Sequence, residues 1–263
     1  MIRTRLTDLL GCTAPIQQAP MGTVSSPRLA VAVAEAGGIG SFNTLGVARE
    51  TLRRQLDTMR EQTDGVLAVS FLTDDIDVDA VADAASRVRV VDFFWSRPRP
   101  DLVDIAHRGG ALVIWQVGSV GEARAAVQAG ADIVCAQGVE AGGHCRGDSP
   151  LLPLLCEVLD AVDVPVLAAG GIGDARGVAA ALAAGASGVR MGTRFIATEE
   201  SAAHAERDPG EPEHAAELAA SQHGDDRGPH ASSSSRLARR SRDQGCPTKV
   251  PYFAGPYRRG GDV

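Results

Sequence analysis

Residues 165–195 read PVLAAGGIGDARGVAAALAAGASGVRMGTRF, two short apolar runs joined by an alanine-rich segment of helical period. The first run, Pro165–Ala169, leads into Gly170-Gly171-Ile172-Gly173; the second, Gly188–Arg194, carries Met191-Gly192-Thr193-Arg194 at its end. Both runs read as continuous rather than alternating, the pattern of strands covered on both faces, and such strands are parallel and joined by crossover helices. Gly185 follows the helical segment, where a left-handed glycine ends a helix before the next strand.

Working outward from this unit, the same arrangement recurs. Runs at Pro15–Pro20, Gly38–Phe42, Val66–Phe71, Val88–Trp95, Ala111–Val117 and Asp132–Ala136 bring the set to eight. Eight parallel strands close a barrel, so the expected class is α/β, a (β/α)8 TIM barrel. Helix starts are marked by Ser26-Pro27, by Ser119 with Glu122 as a capping box, and by Ser149-Pro150. Gly37, Gly109 and Gly130 sit at helix ends as Gly185 does.

The totals agree with one barrel of about 250 residues, since the chain has 263 residues, 44% of them hydrophobic, with 30 glycines and 14 prolines. A net charge of −7 and a pI near 5.4 leave no basic face for a polyanion, so nucleic acid is not an expected partner. Five cysteines with no C-x-x-C pair indicate neither a disulfide framework nor a metal knuckle. Residues 1–15 hold no long apolar stretch, so no membrane association and a cytoplasmic location are expected. After His204 the only large aliphatic residues are Leu218, Leu237, Val250 and Val263. Residues 1–204 are therefore expected to form the barrel, and 205–263 a polar, poorly ordered tail with at most a short helix over Pro212–Ser221. So abrupt a change of composition is what a shifted reading frame would produce.

In such barrels the site is built at the C-terminal strand ends. These carry Gln18-Ala19-Pro20-Met21-Gly22 after the first run, Gln116 in the fifth, Gln137-Gly138 after the sixth, and the two glycine loops of 165–195. Loops after the seventh and eighth strands commonly hold a phosphate through backbone N–H groups, and glycine lets that backbone approach closely. A phosphate site is expected there; Arg194 would pair either with it or with a core carboxylate. The stretch Ala136–His144 combines an amide, three glycines and a histidine. His144 is either the general base or anion-stabilising donor or a surface-loop histidine. Cys145 beside it raises a Cys–His nucleophile, which adjacency disfavours, because neighbouring residues seldom present side chains to each other. Met21, Phe71 and Trp95 either pack on a planar ligand or cap the core, and Ser70 offers a hydrogen bond.

Six motifs in this order resemble the nitronate monooxygenase family, formerly called 2-nitropropane dioxygenases: Gln18–Met21, Gly37–Gly40, Trp115–Gly118, Ala136–His144, Ala168–Ile172 and Met191–Phe195. The resemblance covers about Leu6 to His204. It implies non-covalent flavin mononucleotide (FMN) and oxidation of alkyl nitronates or nitroalkanes with molecular oxygen to carbonyl compounds. Ala19, Met21, Gly22, Gln137, Gly142 and Gly143 are then expected at the flavin, with Ser70 and Gln116 as further contacts. Gly170, Gly171, Gly192 and Thr193 are expected at its phosphate. His144 matches the family's base toward neutral nitroalkanes. Many relatives end strand three with asparagine where this chain has Ser70, and continue after the Thr-Arg-Phe motif with an apolar helix. The competing readings are an FMN-dependent enoyl-acyl-carrier-protein reductase using NAD(P)H, and a degenerate barrel that binds flavin without catalysis. A flavin-free lyase or isomerase would require a lysine or carboxylate pair at the strand ends, which is not evident.

Overall fold

The computed structural model describes residues 2–72 and 75–204; the tail 205–263, with the helix expected over Pro212–Ser221, lies outside them. Eight parallel strands form a closed barrel in chain order. They are β1 Ile16–Gln18, β2 Ile39–Asn43, β3 Val66–Leu72, β4 Val90–Phe94, β5 Leu112–Val117, β6 Ile133–Gln137, β7 Val166–Ala169 and β8 Gly188–Met191. All eight expected runs are present. The last is shorter than expected because Gly192 turns the chain into a short helix, Thr193–Ile196. Closure is made by β1 on β8, with Gln17 opposite Arg190 and Gln18 opposite Met191.

The helices are α1 Arg5–Leu10, α2 Pro27–Glu35, α3 Arg49–Gln62, α4 Val78–Ala85, α5 Pro100–Arg108, α6 Val120–Gln128, α7 Leu151–Ala161, α8 Ala175–Ala183 and α9 Thr193–Ile196. Ser26 caps α2 as expected, accepting from Leu29 N at 3.1 Å. Three other expectations are corrected. Ser119 accepts from Glu122 N, but Glu122 turns its carboxylate to Gly118 N at 2.8 Å, so the box is not reciprocal. At α7 the cap position is Pro150 rather than Ser149, and the Glu140 carboxylate takes the Leu151 N–H instead. The left-handed glycine after α5 is Gly110 (φ 89°), not Gly109. Gly109 serves a different need, since a Cβ there would lie 2.4 Å from that of Ala85, where α4 and α5 touch.

Strand side chains alternate between two apolar layers. Those facing the helices include Leu67, Val69, Val91, Phe93, Val113 and Trp115. Register places Phe71, Phe93 and Trp115 side by side, with ring centroids 6.0 and 4.8 Å apart. Those facing inward include Ile39, Ala68, Val90, Ile114, Ile133, Cys135 and Leu167, and α1 closes the N-terminal end of the barrel by adding Leu6 and Leu10 to the same cluster.

Helix α2 lies so close on β2 that a Cβ on Gly40 would sit 1.8 Å from the Ala30 carbonyl oxygen. Backbone cannot yield as a side chain can, so Gly40→Ala is expected to lower stability by about 2–3 kcal/mol. A urea midpoint unchanged from wild type would refute this close packing.

Candidate functional site at the barrel mouth

Every glycine loop and amide named from the sequence lies at or just beyond a C-terminal strand end. On the β8–β1 side, Ala19 N donates to Met191 O at 2.8 Å. The Ser25 hydroxyl gathers the following turn, accepting from Met21 N at 2.7 Å and Gln18 Nε2 at 2.8 Å and donating to Ala19 O at 3.1 Å. Met21 and Ala19 are thereby brought against Gly192, where a Cβ would meet Met21 Sδ at 3.3 Å and Ala19 Cβ at 3.5 Å. The Gly22 carbonyl accepts from Asn43 Nδ2 at 2.5 Å. Asn43, at the end of β2, was not read from the sequence as part of the site. It lies in register with Ser70, which in turn lies opposite Asp92.

On the β6–β7 side, Gly138 N donates to Ala169 O and Ala141 N to Gly138 O. Gly170 (φ 122°) and Gly171 (φ 65°) are left-handed. A Cβ on Gly170 would lie 3.1 Å from Ala141 N, and one on Gly171 3.3 Å from Glu140 Cβ. The N–H groups of Gly171, Ile172 and Gly173 bond to no other described residue. Helix α8 does not add its own end to this cradle. The Asp174 carboxylate accepts from Arg176 N and Gly177 N, both at 3.0 Å, and the Gly177 bond, then the Arg176 guanidinium, hold it below the usual carboxylate range. An anion here would meet loop amides alone.

These observations fit FMN on physical grounds: a cradle with no Cβ at 170, 171 and 192, and loop amides without partners. If the cradle holds FMN as the resemblance implies, Gly170→Ala is expected to weaken that binding at least about tenfold, from left-handed strain and the crowded Ala141 amide together. Equilibrium dialysis showing unchanged affinity would remove Gly170 from the cradle.

Gln116 and Gln137 have protein partners. Gln116 Oε1 accepts from Arg190 Nη1. Both ends of the Gln137 amide pin the next loop, Nε2 donating to His144 O at 2.9 Å and Oε1 accepting from Arg146 N at 3.3 Å. The His144 ring is exposed and stands edge-on to Trp95, centroids 5.6 Å apart. Gly142 and the left-handed Gly143 (φ 73°) precede it. Cys145 points away, its thiol donating to Ala141 O at 3.0 Å. Burial, then the nearby Glu140 charge, pushes that thiol up, which argues against a nucleophilic thiolate.

Sequence reasoning missed the polar layer beneath the mouth. Arg190 donates to Gln17 Oε1 at 3.1 Å and pairs with Asp92 at 2.5 Å. Gln17 Nε2 reaches Ser41 Oγ at 3.0 Å and Asp92 Oδ2 at 3.3 Å. Asp92 is fully buried and Arg190 only 4% exposed. Burial pushes the Asp92 carboxyl up to about 6 despite the neighbouring Arg190 and Gln17, and Asp92 Oδ1 has no hydrogen-bond partner. The signal was a charged residue inside each of two apolar strand runs, because buried charges require partners. Arg194, considered for that carboxylate, is exposed instead.

Two surface grooves, about 340 Å³ beside Pro27, Thr51 and Met59 and about 210 Å³ beside Leu45, Phe71 and Ile76, include neither His144 nor the glycine loops. Chemistry rather than volume marks the mouth. Among the described residues no cluster of His, Cys, Asp and Glu could hold a metal, and no helix is long and apolar enough to cross a membrane.

The sequence profile of the nitronate monooxygenase family matches residues 3–78 and 52–210. The chain belongs to the nitronate monooxygenase family. A nitronate monooxygenase of Pseudomonas aeruginosa is 36% identical over 251 residues, covering 76% of this chain and 71% of that protein. A (3aS,4S,5R,7aS)-5-hydroxy-7a-methyl-1-oxo-octahydro-1H-indene-4-carboxyl-CoA dehydrogenase of Rhodococcus jostii is 41% identical over 202 residues. That match covers 76% of this chain but only 57% of the relative. Among solved structures, FabK of Thermotoga maritima superposes with a TM-score of 0.72 at 39% identity, over 76% of this chain and 65% of that one. A nitroalkane oxidase of Streptomyces ansochromogenes superposes with a TM-score of 0.67 at 34% identity, over 75% and 70%.

Proposed function

We propose that this family member is an FMN-dependent oxidoreductase that oxidises a small nitronate or nitroalkane with molecular oxygen to a carbonyl compound. The observation that carries the reading is one loop, residues 138–146, which packs against Gly170 and Gly171 and also presents His144. That loop couples an anion-binding cradle to an imidazole, the two elements that this chemistry needs.

A nitronate is an electron-rich anion. The imidazole N–H of His144 donates to its oxygens, and from a neutral nitroalkane the unprotonated ring nitrogen removes the α proton. Loop amides at 171–173, with Gly170, Gly192 and Thr193, would hold the cofactor phosphate, while Ala19, Met21, Gly22, Ser70, Gln116, Gln137, Gly142 and Gly143 would contact the flavin. FMN, when bound, supplies the electron-accepting and oxygen chemistry.

A second reading, action on an acyl thioester, is favoured by the names of the relatives at 41% and 39% identity, both carboxyl-CoA dehydrogenases. A thioester enolate resembles a nitronate in placing charge on oxygen, so the same imidazole serves.

The test is an absorption spectrum of the purified chain with mass identification of the released ligand, then oxygen uptake with propyl nitronate and anaerobic addition of NADPH. FMN near one per chain with oxygen uptake supports the first reading. Bleaching by NADPH without nitronate turnover moves the assignment to the thioester chemistry of an enoyl reductase. Bound flavin with neither response leaves a binding protein, and no flavin after reconstitution removes the cradle assignment.

A further inference from the structure

We propose that Glu122, Arg146 and Trp95 form a positioning relay that sets the orientation of the His144 imidazole; the relay deepens the reading of His144 given above and rests on it. Trp95, directly after β4, is the one non-glycine residue with positive φ among the described residues, at 70°. A bulky side chain in that region is strained and persists only where its surroundings hold it.

Those surroundings come from the His144 loop itself. Arg146 Nη1 donates to the Trp95 carbonyl at 2.9 Å, and its guanidinium carbon lies 5.9 Å from the indole centroid. Arg146 Nε is ion-paired with Glu122 at the start of α6, and the other Glu122 oxygen accepts from Gly118 N at 2.8 Å. The turn after β5 is in turn pressed on the loop, since a Cβ on Gly118 would lie 2.4 Å from Gly147 N. So held, the Trp95 ring contacts both Phe94, centroids 5.3 Å apart and edge-on, and His144, 5.6 Å away at an interplanar angle of 72°.

The result is a closed circuit. His144 and Arg146 are two residues apart on one loop; Arg146 clamps the backbone of Trp95, and the Trp95 ring returns to His144. Gln137 anchors the loop backbone between them. Backbone anchoring alone would leave the imidazole free to rotate on an exposed loop, whereas the indole removes that freedom. Arginine suits the clamp because its planar fork reaches a carboxylate and a carbonyl at once, which lysine does not.

The test uses the full chain as purified, with histidine labelled at ring carbon ε1. The His144 signal is assigned by its loss in His144→Gln. In wild type it is expected to be displaced from the solvent-exposed histidine position by the Trp95 ring current. The displacement should vanish in Trp95→Leu and largely vanish in Arg146→Met, with partial recovery in Arg146→Lys. Glu122→Gln provides a milder break should Arg146→Met fail to fold. A His144 signal unmoved in the folded Arg146 and Glu122 variants would overturn the relay. This readout requires neither cofactor nor substrate, so it can fail while the oxidase reading stands, and the reverse. In an active enzyme, Arg146→Met should lower kcat on a neutral nitroalkane by about 10- to 100-fold, the cost of a misplaced group, with KM within about twofold. A rise in KM alone would assign Arg146 to binding instead.

Discussion

Arg190→Met is expected to lower stability by about 3–5 kcal/mol at pH 7.5, because it strands a buried carboxylate. Asp92 has no solvent access, one of its oxygens is already unpartnered, and Arg190 is its sole ion-pair partner among the described residues. The cost should depend on pH with a definite sign. In the folded chain the Asp92 carboxyl is raised to about 6, above the ordinary value of about 3.9. Its contribution to stability is therefore complete below about pH 4 and declines as pH rises through 6. Removing Arg190 raises the group further, so the deficit should be largest above pH 6 and shrink toward pH 5, where the carboxyl is protonated in both chains. Carboxylates nearer the surface held low by arginine, Asp83 by Arg49 and Asp101 by Arg99, act in the opposite direction and at lower pH. The double variant Arg190→Met with Asp92→Leu should regain most of the loss, as apolar replacements of buried ion pairs commonly do. Urea unfolding of the three chains at pH 5 and 7.5 decides the matter: a single variant as stable as wild type at both values would show that the pair does not hold the barrel.

On the proposed function, His144→Ala should reduce kcat/KM for a neutral nitroalkane by about 10²- to 10⁴-fold, the range for a lost general base. The same variant should lose less with a preformed nitronate, which has no proton to remove and forfeits only a hydrogen-bond donor. Oxygen uptake with the paired substrates, nitroalkane and its nitronate, separates the two roles. Equal losses on both would mean that His144 acts as an anion donor only, and no loss on either would exclude it from the chemistry.

The barrel was legible because burial on both faces writes each strand as a mainly apolar, non-alternating run, as in Val66–Leu72 and Leu112–Val117, each broken by a single polar residue, Ser70 or Gln116. The glycine loops were legible because backbone that must approach closely or turn left-handed leaves few other residue types, as at Gly170 and Gly171. Partnerships across the fold were not. Gln137 reads as a strand-end amide, yet only the folded loop shows that both its ends are used at residues 144 and 146. Glu122 reads as half of a capping box, but tertiary contact with Arg146 draws it away. Asp92 and Arg190 are 98 positions apart in the chain and meet only because β8 closes on β1, so local pattern could show that each needed a partner but not which.

Helix α1, with Leu6 and Leu10 set into the inner cluster, makes the barrel a vessel with a floor. Access along the barrel axis is shut at that end, so whatever the described strand-end loops bind is expected to enter and leave on the side of the strand C-termini.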